Sequence, residues 1–281
     1  MNRRSFLISA GAGLSAPWST FNRVEAGSRL RRPLGFWLDT LKREIQRNYW
    51  DTLSQMARLG YREIEFSETL EMAPVDFRYA LRDFRLTAVA GGGSMRAFID
   101  NFGHIVEQAH FFGRRYLVCY WPWLDDGSDK LADQYYAASE VFNRLGNRCA
   151  AEGLRFAFLH GDDELRYVDP VMRGYDILLQ NTDPEVVAMY MHPYWMIRSG
   201  ADPLKYIQRY PGRFELCRLV DMAGSPLSSF ATLGEGIIDF APIIGQSQKA
   251  GFKHFIVDQE NATDPIRAFK KAVAYLQQIR F

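Results

Sequence analysis

Short apolar runs alternate with amphipathic stretches eight times along this chain, and that alternation limits what it can fold into more than any other feature. The runs Leu34–Leu38, Arg62–Phe66, Leu86–Ala90, Arg115–Tyr120, Leu154–His160, Val186–Met191, Arg213–Leu219 and Lys253–Asp258 read as strands. Helical patterns lie between them, over Tyr49–Leu59, Val75–Phe84, Met95–Phe112, Asp129–Glu152, Tyr175–Asn181, Pro203–Tyr210, Phe240–Ala250 and Pro265–Ile279. Gly60, Gly113, Gly153, Gly212 and Gly251 stand where a helix must stop before the next strand. Glycine ends a helix readily because it enters the left-handed region without a Cβ clash. Strands that alternate with helices form a parallel sheet, and eight such units predict one closed α/β domain, a (β/α)8 TIM barrel. An open, doubly wound sheet is the alternative. It calls for a glycine-rich loop after the first strand, and Asp39-Thr40-Leu41 is not one. Gly91-Gly92-Gly93 lacks both the GxGxxG spacing and a P-loop lysine, and reads as a tight turn between strand and helix.

The chain has 281 residues, and its start differs from the rest. Arg3-Arg4-Ser5-Phe6-Leu7 is followed by the small and apolar run Ile8 to Ala16. This is the layout of a twin-arginine export signal, with Val24-Glu25-Ala26 as a candidate cleavage site. The run is shorter than the roughly 20 residues that span a bilayer. Residues 1–30 are therefore read as signal and linker, residues 31–281 as the barrel, and the protein is expected in the periplasm or secreted. A net charge of +1 offers nothing to a nucleic acid or an anionic membrane. Cys119, Cys149 and Cys217 fit no zinc spacing and sit in apolar stretches, so buried free thiols are expected. Oligomeric state is not readable, because an interface helix looks like any other amphipathic helix.

In such a barrel, function lies at the C-terminal ends of the strands. Several phrases at and around those ends match a known pattern in order. They are Gly60-Tyr61-Arg62-Glu63-Ile64-Glu65-Phe66, Asn181-Thr182-Asp183-Pro184-Glu185, Tyr194-Trp195 with Ser199-Gly200-Ala201-Asp202-Pro203, Tyr210-Pro211-Gly212-Arg213-Phe214, Leu233-Gly234-Glu235-Gly236-Ile237-Ile238-Asp239-Phe240, and Gly251 to Glu260. Together they resemble the sugar phosphate isomerase/epimerase family of xylose-isomerase-like barrels. The resemblance implies a site in which a divalent metal holds two adjacent sugar oxygens and carboxylates move the proton next to the carbonyl. Oxygen and imidazole ligands of that kind suit Mn, Co or Zn.

The departures from the family pattern fall on the implied ligands. His192 stands where the family has Asp, Arg218 where it has His, and Asp258-Gln259-Glu260 where it has Glu-Gln-Asp. Asp221 survives from the family's His-x-Lys-Asp phrase. On the fifth strand His160 and Glu164 remain, with the histidine shifted in register, and Gly92 holds a slot that is often His. Glu65 is given the parity of the family's barrel-facing Glu, an outer salt bridge being the alternative for both Glu63 and Glu65. Arginine keeps its proton and cannot ligate a cation. The expected catalytic set is therefore His192, Arg218, Asp258 and Glu260. Arg218 would polarise a carbonyl or carboxylate, and His192, oriented by Asp258 or Glu260, would serve as acid or base. Trp37, Glu65, Trp121, His160, Glu164, Tyr194, Trp195 and Asp221 form the expected substrate ring, with Tyr120 and Trp123 adding aromatic surface for a sugar. No cofactor is expected; the alternative is a divalent metal (Mn, Co or Zn) held by His160, His192 and Asp258, with Glu260 a further candidate. The reaction expected is isomerisation, epimerisation or β-elimination on a carbohydrate, a free or oxidised sugar, glycoside or uronic acid rather than a phosphate. The alternative is a barrel that binds a sugar or a partner without turning it over.

Overall fold

The eight apolar runs pair in parallel and close on themselves. The computed structural model describes residues 30–67, 72–124, 130–226 and 228–281. The barrel strands are β1 (Leu34–Trp37), β2 (Glu63–Glu65), β3 (Thr87–Ser94), β4 (Tyr116–Trp121), β5 (Arg155–Leu159), β6 (Val187–Met191), β7 (Phe214–Leu219) and β10 (His254–Val257). They run in chain order around the ring until β10 closes on β1. β8 (Asp221–Met222) and β9 (Phe230–Ala231) form a small antiparallel ribbon after β7. Helices between successive barrel strands cover the outside, as a parallel sheet requires. The expected single α/β barrel is thus the fold. The expected export signal, Arg3 and Arg4 included, lies outside the described residues. Among the described residues no helix is long and apolar enough to cross a membrane, and the three cysteines are free and buried.

The core has two layers because strand side chains alternate faces. Outward-facing Phe36, Ile64, Leu117, Phe158, Met189 and Phe255 pack under the helices. Inward-facing Val118, Ala157, Ala188, Leu216 and Ile256 fill the barrel. The alanines matter: small residues at mid-height leave room for the large side chains Tyr190, Tyr120 and Trp37 that pack with this inner cluster. Glu63 and Glu65, two residues apart, share the inward face, contrary to the different parities expected of them. Glu63 meets His254 at 2.9 Å. Nearby, Glu215 gathers Arg155, Lys253 and the Tyr116 hydroxyl.

Four expectations about elements need correction. Gly91-Gly92-Gly93 is not a turn but part of β3. A Cβ on Gly92 would lie 2.1 Å from the Val118 carbonyl oxygen, so only glycine lets β3 and β4 approach this closely. The helix expected over Met95–Phe112 breaks at Asn101, whose φ of −133° is not helical, giving Met95–Asp100 and Phe102–Phe112. Asparagine competes with helical backbone bonding and favours such a boundary. The helix expected over Phe240–Ala250 likewise divides at Gln246 into Phe240–Gly245 and Ser247–Ala250. The first helix starts earlier than expected, at Lys42, and kinks at Asn48. A helix over Pro193–Arg198, which the apolar periodicity does not announce, follows β6 directly, with proline at its first turn.

Candidate active site

Strand parity delivers Trp37, Glu65, Tyr120, Tyr190, Arg218 and Asp258 to one layer at the C-terminal end of the barrel. Arg218 is its hub. Nη1 donates to Asp258 Oδ2 at 3.2 Å, and Nε donates to the Tyr190 hydroxyl at 3.3 Å. Nη2 lies 2.9 Å from Glu65 Oε1 but its N–H groups are not aligned with it, so this contact is an ion pair without a hydrogen bond. The guanidinium carbon sits 4.4 Å from the Trp37 ring centroid, within cation–π range. Glu65, fully buried, also accepts from the hydroxyls of Tyr120 at 2.9 Å and Tyr190 at 2.6 Å. Asp258 accepts from Thr40 Oγ1 at 2.6 Å. Burial works against the charge on Arg218, but Glu65, Tyr190 and Asp258 outweigh it and hold its pKa above the usual arginine value. Burial, reinforced by Glu65, pushes the Tyr120 phenol well up. Burial does the same to Tyr190, where Arg218 pulls the other way and Glu65 adds to the rise. Both phenols therefore stay protonated as donors.

A second cluster forms where β5 and β6 end. His160 Nδ1 is 2.9 Å from the Gly161 carbonyl, and its Nε2 accepts the His192 backbone N–H at 3.1 Å. These partners assign the proton to Nδ1, and burial lowers the His160 pKa to about 4. Glu164 accepts from Trp123 Nε1 at 2.9 Å and from the Gly161 N–H at 2.7 Å. Burial raises its pKa to about 7. His192 is buried, and its Nδ1 has no partner. Burial first, then the charge of Arg218, depresses its pKa well below the usual histidine value. Its ring faces Trp195 and Tyr194, with centroids 5.9 and 6.1 Å away. The Tyr194 hydroxyl donates to the Ser228 carbonyl, and Trp121 stands exposed at the end of β4.

The open space lies over β1 and β10. A cavity of about 860 Å³ is lined by Trp37, Asp39, Thr40, Arg218, Asp258 and Glu260, among others. Of the expected site residues, Trp37, Arg218, Asp258 and Glu260 share this cavity, with Glu65 packed against Arg218. His160, Glu164 and His192 belong to the neighbouring cluster, and no hydrogen bond joins His192 to either carboxylate expected to orient it. Asp221 is engaged elsewhere, for its carboxylate accepts the N–H groups of Met222, Gly234, Gly236 and Ile238. Burial raises the carboxyl pKa of Glu260, and the charge of Asp258 adds to the rise. Burial also raises Asp39, against the Ser67 N–H that its Oδ1 accepts at 3.4 Å. Asp39, Thr40 and Tyr190 were missed as site residues. A signal for each was present: Asp39 and Thr40 directly follow the first predicted strand, and Tyr190 lies two residues before His192, on the same face.

The donors present do not fit a divalent ion. Arg218 brings a guanidinium, which cannot ligate, between Glu65 and Asp258. Both His160 nitrogens are engaged. Among the described residues no group of three His, Cys, Asp or Glu side chains is placed to hold a metal.

No family model matches the chain. It is 26% identical over 160 residues to inosose dehydratase of Lacticaseibacillus casei, covering 51% of this chain and 52% of that protein. The chain thus spans about half the length of this curated relative. A longer match, 21% identical, covers 81% of this chain and 86% of inosose dehydratase from Geobacillus kaustophilus. In structure it is similar to a sugar phosphate isomerase/epimerase from Parabacteroides distasonis, with a TM-score of 0.73 at 21% identity, over 88% of this chain and 93% of that one. In fold, then, the chain is a (β/α)8 TIM barrel similar to that of sugar phosphate isomerase/epimerase structures.

Proposed function

We propose that the barrel acts on a neutral carbohydrate by removing a proton next to a carbonyl, through acid–base side chains and with a degenerate metal site. The observation that carries this reading is the placing of one guanidinium beside carboxyls in the mouth cavity. Arg218 lies with Asp39, Asp258 and Glu260 around it, and burial raises the pKa of Asp39 and Glu260 toward the range of a working acid or base. Arginine has five N–H groups, so Arg218 has donors beyond those given to Asp258 and Tyr190. They would hold a carbonyl oxygen as it gains charge. Glu260 takes the proton from the adjacent carbon, and the electron pair forms a carbon–carbon double bond while the oxygen becomes an enolate. Returning the proton to another carbon, or to the other face, gives isomerisation or epimerisation. Expelling a β-hydroxyl, protonated by Asp39 to leave as water, gives elimination. Similarity to inosose dehydratase supports elimination from a polyhydroxylated ketone.

The charges around the cavity favour an uncharged substrate. Asp39, Glu44, Asp258 and Glu260 face Lys42, Arg43 and Arg218, leaving no excess of cations for a phosphate. Trp37 offers an aromatic face. The test is exchange of substrate C–H for deuterium in heavy water, followed by NMR across a panel of inososes, free sugars and oxidised sugars. Exchange or turnover that falls about 100-fold in Glu260→Gln supports the reading. Absence of exchange on every carbohydrate that measurably binds would sink it.

A second reading, a sugar-binding barrel without turnover, is favoured by how fully Arg218, Glu65 and Asp258 occupy one another. It predicts ligand-induced stabilisation with no exchange. Export through the twin-arginine route also belongs to the proposal and rests on Arg3-Arg4 and the run after them. Changing both arginines to lysine should retain the chain in the cytoplasmic fraction.

A further inference from the structure

We infer that Arg218 is a built-in cation, and that Glu65 and Asp258 form a divalent-ion site which this side chain fills from within. The inference rests on the degenerate metal site proposed above and not on which reaction the barrel performs. Two carboxylates, from β2 and from the end of β10, point at one spot in the barrel and are almost wholly buried. Two buried carboxylates close together need a cation, a shared proton or hydrogen-bond donors to offset their repulsion and desolvation. The cation here is the guanidinium, 2.9 Å from one carboxylate and 3.2 Å from the other.

Two aromatic faces beside the guanidinium suit a cation. The Trp37 ring lies under the guanidinium, and the Tyr190 ring centroid is 5.3 Å from its central carbon. Two tyrosine hydroxyls donate to Glu65 and one threonine hydroxyl donates to Asp258. The fit is nonetheless imperfect, since the N–H groups of Nη2 do not aim at Glu65. An Arg–carboxylate pair built for its own sake prefers two parallel N–H···O bonds. Here the guanidinium meets the Asp258 carboxylate in line and the Glu65 carboxylate only as an ion pair.

The experiment is cobalt binding by the full chain, followed by elemental analysis and visible absorption after exposure to cobalt chloride and gel filtration. The expected result is no bound cobalt in the wild type and about one cobalt per chain in Arg218→Ala, lost again when Asp258→Asn is added. About one cobalt per wild-type chain that disappears in Asp258→Asn would overturn the inference. A folded Arg218→Ala that binds none would overturn it too, because the carboxylates would then not form an ion site. If Arg218→Ala folds only when cobalt is present, the inference gains direct support. Should it fold under neither condition, Arg218→Lys decides: a folded protein without cobalt upholds the built-in cation, and cobalt binding beside the lysine overturns it.

Discussion

His160 and Glu164 are four residues apart, and burial drives their protons in opposite directions. Glu164 has a folded-state pKa of about 7, above its ordinary 4.5. Its contribution to stability is present below pH 4.5 and is lost as the pH rises through 7. His160 has a folded-state pKa of about 4, below its ordinary 6.5. Its contribution is present above pH 6.5 and is lost as the pH falls through 4. Between pH 4.5 and 6.5 these two slopes oppose each other. Glu164→Gln removes one of them. Denaturant unfolding of that variant should show stability climbing more steeply with pH across this window, and an unchanged slope would refute the assignment. At this scale the sequence was a partial guide to the site. Arg218 and Asp258 could be recognised because each stands at a strand end and departs from a familiar phrase. The separation of His192 from Asp258 was not readable, because it depends on how far each strand end rises above the barrel. Nor was the occupation of Asp221 by four backbone N–H groups, which come from a loop 13 to 17 residues downstream as well as from its neighbour.

Asp221 belongs to the scale of elements, since it fastens the loop after the β8–β9 ribbon to the end of β7. Asp221→Ala strands the N–H groups of Gly234, Gly236 and Ile238. A buried donor left unpaired costs about 1–3 kcal/mol; the Ile238 bond is buried and those of Gly234 and Gly236 are partly exposed, so the variant should lose about 1–3 kcal/mol in denaturant unfolding. Asp221→Asn keeps one acceptor oxygen and should lose roughly half as much. Glycines allow a sharper comparison. Gly92→Ala drives a methyl into the β4 backbone and should cost more than about 2 kcal/mol. Gly103→Ala, on the Phe102–Phe112 helix with nothing within 4 Å of the new methyl, should gain about 0.5 kcal/mol. Equal effects at the two sites would refute the packing argument. The alternation that predicted eight strands says where elements lie but little about their interruptions. Asn101 and Gln246 break helices whose apolar periodicity runs on past them, and β3 carries three glycines that local propensity assigns to a turn.

For the molecule as a whole, closure of the barrel follows from the count of βα units, while the cavity over β1 and β10 follows from the last strand meeting the first. Neighbours in that seam are more than 200 residues apart in sequence, as Thr40 and Asp258 are. The seam is therefore where sequence reading is weakest, and it is also where the site opens. On the inference that Arg218 supplies the positive charge for the buried carboxylates, thermal unfolding of the intact protein should shift by less than about 1 °C between chelator and millimolar Mn, Co or Zn, since a ligand stabilises only what it binds. A rise of several degrees with any of these ions would contradict this.

The guanidinium between Glu65 and Asp258 also bears on how the protein becomes complete. A centre charged by an ion from the medium is finished only after that ion has been captured, and competition, starvation or the wrong metal can spoil it. A centre charged by the seventh strand is finished when the strand is in place. On that inference its supply is set by translation and its stoichiometry is one to one by covalent attachment.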